Sequence, residues 1–377
     1  MTRAMAWVMV LACALVLVVP KAKAQRPPET HPSSEHRDIV MSWDRSAMPG
    51  DVVLIPRRTI IGYEQAGTLN YGKLFFTCES SSDAKRGKCP TADTQEGGTS
   101  SGSSFPLLFV EQRSGMTAQL TVSGYIQRLD ATAACAGDYW STDSFPLWTS
   151  SGTTCFIYEP AGTGASLRVE ASEMEKLVAG RWRAELILSL RKPPEQLVAS
   201  YVYSIDFEVT AKSAVAIYLP EFDHATPSVD LNLRYNPIAR TVEGRKVLDM
   251  CLYDGLGSHS TYLGVTVRDT GGRAPGPTGF SVWHDSGGSD ERRRLDYMLA
   301  LDHSGTSIPL INGVEQQLTG IDSARLRLVM LPGMTLPVFC VPTPLTLTTP
   351  RFPSTSKEAG HYVGDLQVEL RVPTATP

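Results

Sequence analysis

The residues able to do chemistry are few and poorly spaced for it. Gly98-Thr99-Ser100-Ser101-Gly102 fits the GxSxG pattern of a nucleophile elbow. That elbow needs a strand before it and a helix after it, so that a strained turn exposes the serine. Here the motif sits in the low-complexity run GGTSSGSS, which reads as a surface loop. Histidines stand at 31, 36, 224, 259, 284, 303 and 361, with no HExxH and no i,i+4 pair to hold a metal. His284-Asp285 and Asp302-His303 are adjacent in sequence, and neighbours on a strand point to opposite faces, so neither pair is expected to act as a dyad. Glu170, Glu173 and Glu175 read as a solvated acidic face rather than as paired carboxylates. No glycine loop with its lysine offers to cradle a phosphate. The pattern points away from an enzyme and calls for no cofactor and no metal; a secreted β-sandwich enzyme is the remote alternative.

Cysteine carries the remaining chemistry. There are seven, and Cys13 falls within an N-terminal stretch that reads as a secretory signal. Arg3 supplies a short positive start, Ala4 to Val19 are almost wholly apolar, and Ala22-Lys23-Ala24 gives a small-x-small cleavage pattern, leaving Gln25 first. Val10-Leu11-Ala12-Cys13 only weakly resembles a lipoprotein box, because the apolar run continues past the cysteine. Removal of residues 1–24 leaves six cysteines, an even number that suits disulfides in an exported chain. Cys78 and Cys89 flank a polar, charged loop, Cys135 and Cys155 an aromatic, Gly/Ser-rich one, and Cys251 and Cys340 lie in distant strand-like runs. Six cysteines allow about fifteen pairings, and spacing alone does not choose among them. The same removal takes away three basic residues, so 32 basic residues face 39 acidic ones and the net charge moves from −4 to −7. That balance excludes a general nucleic-acid binder.

The elements that must position these residues have a period of two. Trp182 to Leu190, Tyr201 to Val209, Val229 to Leu233 and Leu366 to Leu370 alternate apolar and polar residues. Each such strand buries one face and wets the other. Only Ser172 to Leu177 looks helical, with Ser172 as its expected N-cap. The polar, Pro-rich residues 26–37 are expected to be loose. With 377 residues, 42% of them hydrophobic, the chain can fill two cores. The expectation is all-β, in two sandwiches.

Specific blocks add to this reading. Tyr218-Leu219-Pro220-Glu221-Phe222, Val229-Asp230-Leu231-Asn232-Leu233-Arg234, Asp249-Met250-Cys251-Leu252-Tyr253-Asp254-Gly255, Leu336-Pro337-Val338-Phe339-Cys340-Val341-Pro342 and Glu358-Ala359-Gly360-His361-Tyr362-Val363-Gly364 follow one another in order. Together they resemble the minor tip subunits of class 5 (alternate chaperone-usher) fimbriae, a family of tip adhesins and pilus-biogenesis initiators. The likeness covers nearly the whole chain after the leader and is more specific in its second half. It implies two tandem immunoglobulin-like β-sandwich domains: an adhesin domain at 25–209, a linker at 210–212 and a pilin domain at 213–377. It also implies the nearest-neighbour disulfides Cys78–Cys89, Cys135–Cys155 and Cys251–Cys340.

The resemblance further implies a pilin domain that lacks its last strand and is completed by donor-strand complementation. A periplasmic chaperone, an outer-membrane usher and the major pilin would be its partners. Tyr362, Leu366, Val368 and Leu370 are the candidate wall of the donor-strand groove. The protein would pass through the periplasm to the fimbrial tip on the cell surface. For the host glycan or glycoprotein receptor, the family uses arginines on the first domain, and the matching positions here are Lys73, Lys192 and Pro193, with Arg191 beside them. Lysine lacks arginine's planar fork, so receptor specificity is expected to differ from that of the family's arginine-bearing adhesins. A tip protein that initiates assembly without adhering is the alternative.

Overall fold

The computed structural model describes residues 24–97, 102–155 and 159–373. The expected leader, except Ala24, and residues 98–101 of the GxSxG motif lie outside the described residues. The first domain is built from β1 (Glu35–Asp44), β2 (Val52–Tyr63), β3 (Phe75–Cys78), β4 (Ser103–Glu111), β5 (Thr117–Leu129), β6 (Trp140–Phe145), β7 (Gly162–Val169), β8 (Gly180–Lys192) and β9 (Gln196–Thr210). They pair in the order β1-β9-β8-β4-β5-β7-β2, with β3 also on β8 and β6 also on β5. The continuous sheet folds over on itself. Phe109 of β4 stacks on Phe207 of β9 at 5.5 Å, although β8 separates those strands in the pairing order. The alternation expected for 182–190 and 201–209 is the inner and outer face of β8 and β9, with Trp182, Leu186, Leu188, Leu190, Tyr203, Ile205 and Phe207 buried. β1 runs parallel to β9, from Glu35 beside Tyr201 to Asp44 beside Thr210.

The second domain holds β10 (Ala216–Tyr218), β11 (Leu233–Asn236), β12 (Thr241–Leu248), β13 (Cys251–Tyr253), β14 (Tyr262–Asp269), β15 (Phe280–His284), β16 (Arg294–His303), β17 (Thr306–Pro309), β18 (Gln316–Thr319), β19 (Arg327–Val329), β20 (Val338–Pro342), β21 (Leu345–Pro353), β22 (Tyr362–Val363) and β23 (Leu366–Arg371). One sheet has the order β11-β12-β21-β16-β15-β22, and two smaller ones run β10-β13-β20-β19 and β18-β14-β23. Leu263, Val265, Phe280, Leu299, Leu301 and Leu345 lie at the centre of the core between them. The fold is therefore all-β in two immunoglobulin-like sandwiches. The disulfides join Cys78 to Cys89, Cys135 to Cys155 and Cys251 to Cys340.

Three local expectations need correction. Residues 26–37 are docked rather than loose: Thr30 and Tyr63 exchange backbone hydrogen bonds at 2.9 and 2.8 Å, and Glu35 already opens β1. The polar composition misled because this segment is held through its backbone. The helix spans only Ala171–Met174 with Glu170 at its N-cap, and the Asp51 carboxylate takes the Ala171 amide, so Ser172 caps nothing. The alternating run Val229–Leu233 is extended but unpaired until Leu233, where β11 begins. Val229 and Leu231 still rest on the second core, and that contact is what their alternation records.

The two domains share apolar packing. Cys251, Tyr253, Val329, Leu331, Val338 and Cys340 of the second domain belong to the same buried cluster as the first domain's core, with Ala211 of the linker between them. The linker is clamped. Asp44 accepts from Thr210 Oγ1 at 2.7 Å and from the Lys212 amide at 3.0 Å, while the Ala211 amide donates to Gly255 O at 2.7 Å. Two glycines let the backbones meet: a Cβ on Gly255 or Gly257 would lie 2.6 Å from Ala211 O or Ala179 O respectively, and both residues have positive φ. Arg113 reaches across from the first domain to Ile321 O at 3.1 Å and to Ala324 O.

Glu111, buried at the end of β4, closes this junction. Its carboxylate accepts from the amides of Arg113 (3.0 Å), Ser114 (2.6 Å) and Arg181 (3.1 Å), from Ser114 Oγ (2.6 Å), and from His259 Nε2 of the second domain (2.9 Å). Burial opposes the charge, but the donors, led by His259 and Ser114, outweigh it and hold the carboxyl at about 2. The folded value lies below the unfolded one, so the unfolded chain takes up the proton first. The stability Glu111 confers is present above pH ~4.5 and is lost as pH falls toward 2. Thermal denaturation across that window is expected to show a steeper loss for the wild type than for Glu111→Gln; parallel curves would count against the assignment.

Candidate functional site

The basic residues singled out by the sequence come together at one corner of the first domain. Lys73 ends a single 3-10 turn, Tyr71–Lys73, two residues before Phe75, and Phe75 is the cross-strand neighbour of Arg191. The turn is fixed by close backbone approach: a Cβ on Gly72 would fall 1.8 Å from Pro160 O. Lys192 follows Arg191 at the end of β8 and opens a tight hairpin through cis Pro193-Pro194, closed by the Glu195 amide on Lys192 O at 3.1 Å.

The three charges differ in how far they are committed. Lys73 Nζ lies 2.9 Å from the exposed Glu159 carboxylate. Arg191 is turned inward, donating from Nε to Thr77 Oγ1 at 3.1 Å and from Nη1 to Glu195 O at 2.9 Å. Lys192 has no ion-pair partner among the described residues. The corner thus offers one free cation and one exposed ion pair whose lysine a stronger anion could capture. Glu195 also accepts from the Asp93 amide at 3.0 Å, and Asp93 accepts from the Ser150 amide at 2.9 Å, tying this hairpin to two further loops.

Beneath the corner lies a residue that sequence reasoning missed. Arg128 of β5 is fully buried and donates to Leu74 O (2.8 Å), Thr163 Oγ1 (2.7 Å), Thr149 O (2.8 Å) and Ser151 O (2.8 Å). No carboxylate is within bonding distance among the described residues; four neutral oxygens hold the guanidinium. Burial pulls its pKa down to about 9, so it remains charged at neutral pH. Its ring neighbour is Phe145, 5.7 Å from the guanidinium carbon. The available signal was an arginine in the otherwise apolar end of the run Tyr125-Ile126-Gln127-Arg128-Leu129.

In the second domain, the residues expected to wall a groove divide between two strands. Tyr362 lies on β22 beside His284, and its hydroxyl donates to Glu358 O at 2.6 Å and to Arg292 O at 3.0 Å. Leu366, Val368 and Leu370 share one face of β23, half-buried against the second core. Among the described residues β23 pairs with β14 on one edge only.

The adjacent His–Asp pairs do not make relays. Asp285 lies past the end of β15, so strand alternation does not separate it from His284, and their side chains approach to 3.2 Å. This departs from the expected opposite orientation. However, His284 Nε2 donates to Ala359 O at 3.2 Å, and Nδ1 accepts from the Ser286 amide and hydroxyl at 3.1 and 2.8 Å, which leaves no proton directed at Asp285. His303 is buried and donates to Thr319 O at 2.9 Å.

Comparison with known proteins places this geometry. Residues 20–212 match the family of the first domain of CfaE, a protein of CFA/I fimbriae, and residues 215–374 match the family of its second domain. A curated relative, the CfaE protein of CFA/I fimbriae of Escherichia coli, is 29% identical over 307 residues, covering 79% of this chain and 80% of that one. A chain solved in a study of a chaperone–tip adhesin complex of CFA/I fimbriae biogenesis is 26% identical with a TM-score of 0.66, over 93% of this chain and 99% of the other. A crystal structure of CfaE, the adhesive component of CFA/I fimbria of enterotoxigenic Escherichia coli, shares the fold with a TM-score of 0.69 at 24% identity, over 93% and 95% of the two chains.

Arg128→Met takes the donors away from the carbonyls of Leu74, Thr149 and Ser151, each costing about 1–3 kcal/mol where it stays unpaired, while Thr163 Oγ1 keeps its bond to Tyr71 O. It is expected to destabilise the first domain by about 3 kcal/mol or more in denaturant titration. A loss below about 1 kcal/mol would show that the corner does not hang on this residue.

Proposed function

Because the chain belongs to the CfaE family of CFA/I fimbrial proteins, we propose that it is the minor tip subunit of a fimbria, that it initiates fibre assembly by the chaperone-usher route, and that it attaches the fibre to a host-cell receptor. Residues 25–209 form the adhesin domain, 210–212 the linker and 213–377 the pilin domain. The protein is exported through the periplasm and works at the cell surface. Its relatives are adhesive fimbrial proteins, and this chain acts by binding rather than by catalysis.

One observation carries the reading of the pilin domain: among the described residues its last strand is paired on one side only. β23 presents a free edge, and Leu366, Val368 and Leu370 remain half-exposed on the core. The extended residues Val229 and Leu231 rest on that same core without a strand partner. A sheet edge of this kind invites pairing with another chain. A periplasmic chaperone supplies the strand first, the usher receives the complex, and the N-terminal extension of the major pilin replaces the chaperone strand.

The receptor, a host glycan or glycoprotein, is assigned to the corner of Lys73, Arg191 and Lys192. Lys192 is the cation available there, and Lys73 can exchange Glu159 for an anionic group on the receptor. The inward commitment of Arg191 favours one second reading, a tip protein that initiates assembly and leaves adhesion to other components.

Two experiments test these assignments. Fusing the major pilin's N-terminal extension to the C-terminus of the full chain is expected to raise the melting temperature by about 5 °C or more. Equal melting temperatures with and without the extension would remove the case for an incomplete domain. Lys73→Glu with Lys192→Glu is expected to cut adhesion of fimbriated cells at least about tenfold while fibre assembly stays normal. Undiminished adhesion would transfer the receptor site elsewhere, and no adhesion by the unaltered fibre would favour the initiator reading.

A further inference from the structure

We propose that the β11–β12 hairpin is a docking surface for the globular body of the major pilin, separate from the groove that takes its strand. This rests on the reading of 213–377 as a pilin domain. Register places the hairpin at the end of that domain away from the first. β12 begins at Thr241, level with Pro353, and ends at Leu248 beside Leu345. Just past Leu248, Cys251 enters the buried cluster shared with the first domain. Eight residues of strand put the hairpin turn about 23 Å from that end. β23 lies along the same axis. Its Arg371 end pairs with Gly264 of β14. From there β14 leads back to His259 and β18 leads on to Ile321, and both residues are bonded to the first domain. A strand laid along the free edge of β23 therefore meets the first domain at one end. The body that lends it stands at the other end, which is the hairpin's end.

The hairpin has the make-up of a contact site. Ile238 at its tip is 95% exposed, Tyr235 57% and Leu233 41%. Large apolar residues exposed together mark an interaction surface, and tyrosine and arginine are the residues enriched in such surfaces. The tip is rigid before any partner arrives. Asn236 Oδ1 accepts from the amides of Ile238 and Ala239, both at 3.0 Å, and Arg240 O accepts from the Ser354 amide at 2.9 Å. A pre-formed tip loses little freedom on docking. The chaperone departs during assembly, so the permanent cover for this tip is the subunit that replaces it.

Charge selects the surface it fits. Arg234 stands opposite Glu243, but that carboxylate is taken by Arg351 at 3.1 and 3.3 Å. Arg245, two residues on along the same face, and Arg240, just after the turn, likewise have no carboxylate partner among the described residues. From Leu233 to Lys246 there are four basic residues and one acid, a surplus of three positive charges. The rest of the chain is acidic, with a net charge of −7 once the leader is removed. The hairpin is thus a local basic patch with an apolar tip, and it fits a pilin surface that is acidic around an apolar contact. It uses none of the residues at the basic corner of the first domain.

The test uses the immobilised full chain and two probes. One is a synthetic peptide of the major pilin's N-terminal extension. The other is the whole major pilin with its own groove filled by a fused donor strand, so that its extension is free. The whole pilin is expected to bind about tenfold or more tightly than the peptide. Arg234→Glu/Arg240→Glu should bring it to within about threefold of the peptide, and Ile238→Ser should weaken it about threefold or more. Neither variant should change the affinity of the peptide, whose binding also reports that the domain is folded. The proposal is overturned if the whole pilin binds no more tightly than the peptide, if the variants keep the full difference, or if they weaken capture by the chaperone and not by the pilin. A peptide that itself fails to bind overturns the strand-lending reading, and the proposal with it; a peptide that binds leaves that reading standing whatever the hairpin does.

Discussion

Glu111 is the point at which the two domains become one object. A single carboxylate collects five hydrogen bonds: three from backbone amides, one from a serine hydroxyl and one from the other domain's His259. Together these donors fix three pieces of chain: the turn after β4, the start of β8, and the loop after β13. That loop is itself held by Asp254, which accepts from the amides of Leu256, Ser258 and Ser260. The arrangement allows the glycines at 255 and 257 to lie directly on the first domain's backbone. It also seals the apolar cluster that runs from Trp182 through Ala211 to Cys340. Residues 210–212, where the domains meet, are not a loose tether: Thr210 and Lys212 are bonded to Asp44, and Ala211 to Gly255.

Much of this was legible in the sequence wherever one face of a strand is buried. β8, β9 and β23 announce themselves because alternation is the direct imprint of a two-sided environment. The disulfide partners and the second domain's order came from short blocks that resemble a known family. The illegible parts share a physical cause: they are fixed by backbone contacts or by a partner far away in sequence. Thr30 is held by Tyr63 through main-chain bonds, which composition does not encode. Arg128 looks like any surface arginine until Leu74, Thr149 and Ser151 are seen to converge on it. Val229 to Asn232 alternates like a strand but lacks, among the described residues, the neighbour that would make it one.

At the basic corner the same distinction separates charge from available charge. Three cations stand together in sequence logic, yet one is spent on Thr77 and Glu195 and another is lent to Glu159. Charge paired within the domain contributes little to recognition at a distance, whereas the free amine of Lys192 costs nothing to redirect.

The parallel pairing of β1 with β9 sets a rule for how this chain emerges from a membrane. The first ordered strand and the last strand of the same domain are neighbours across some 166 residues, from Asp44 to Thr210. Contacts that distant form late, because the whole intervening loop must be closed before they repay its entropy. During N-to-C export the edge of β9 does not yet exist while β1 waits in the periplasm. The domain therefore closes only when translocation has delivered residue 210, and the linker and the first strands of the next domain follow immediately behind. The second unit's open edge lies on β23, Leu366–Arg371, far behind residue 210, so the first unit closes before that edge, and with it the need for a strand-lending protein, appears.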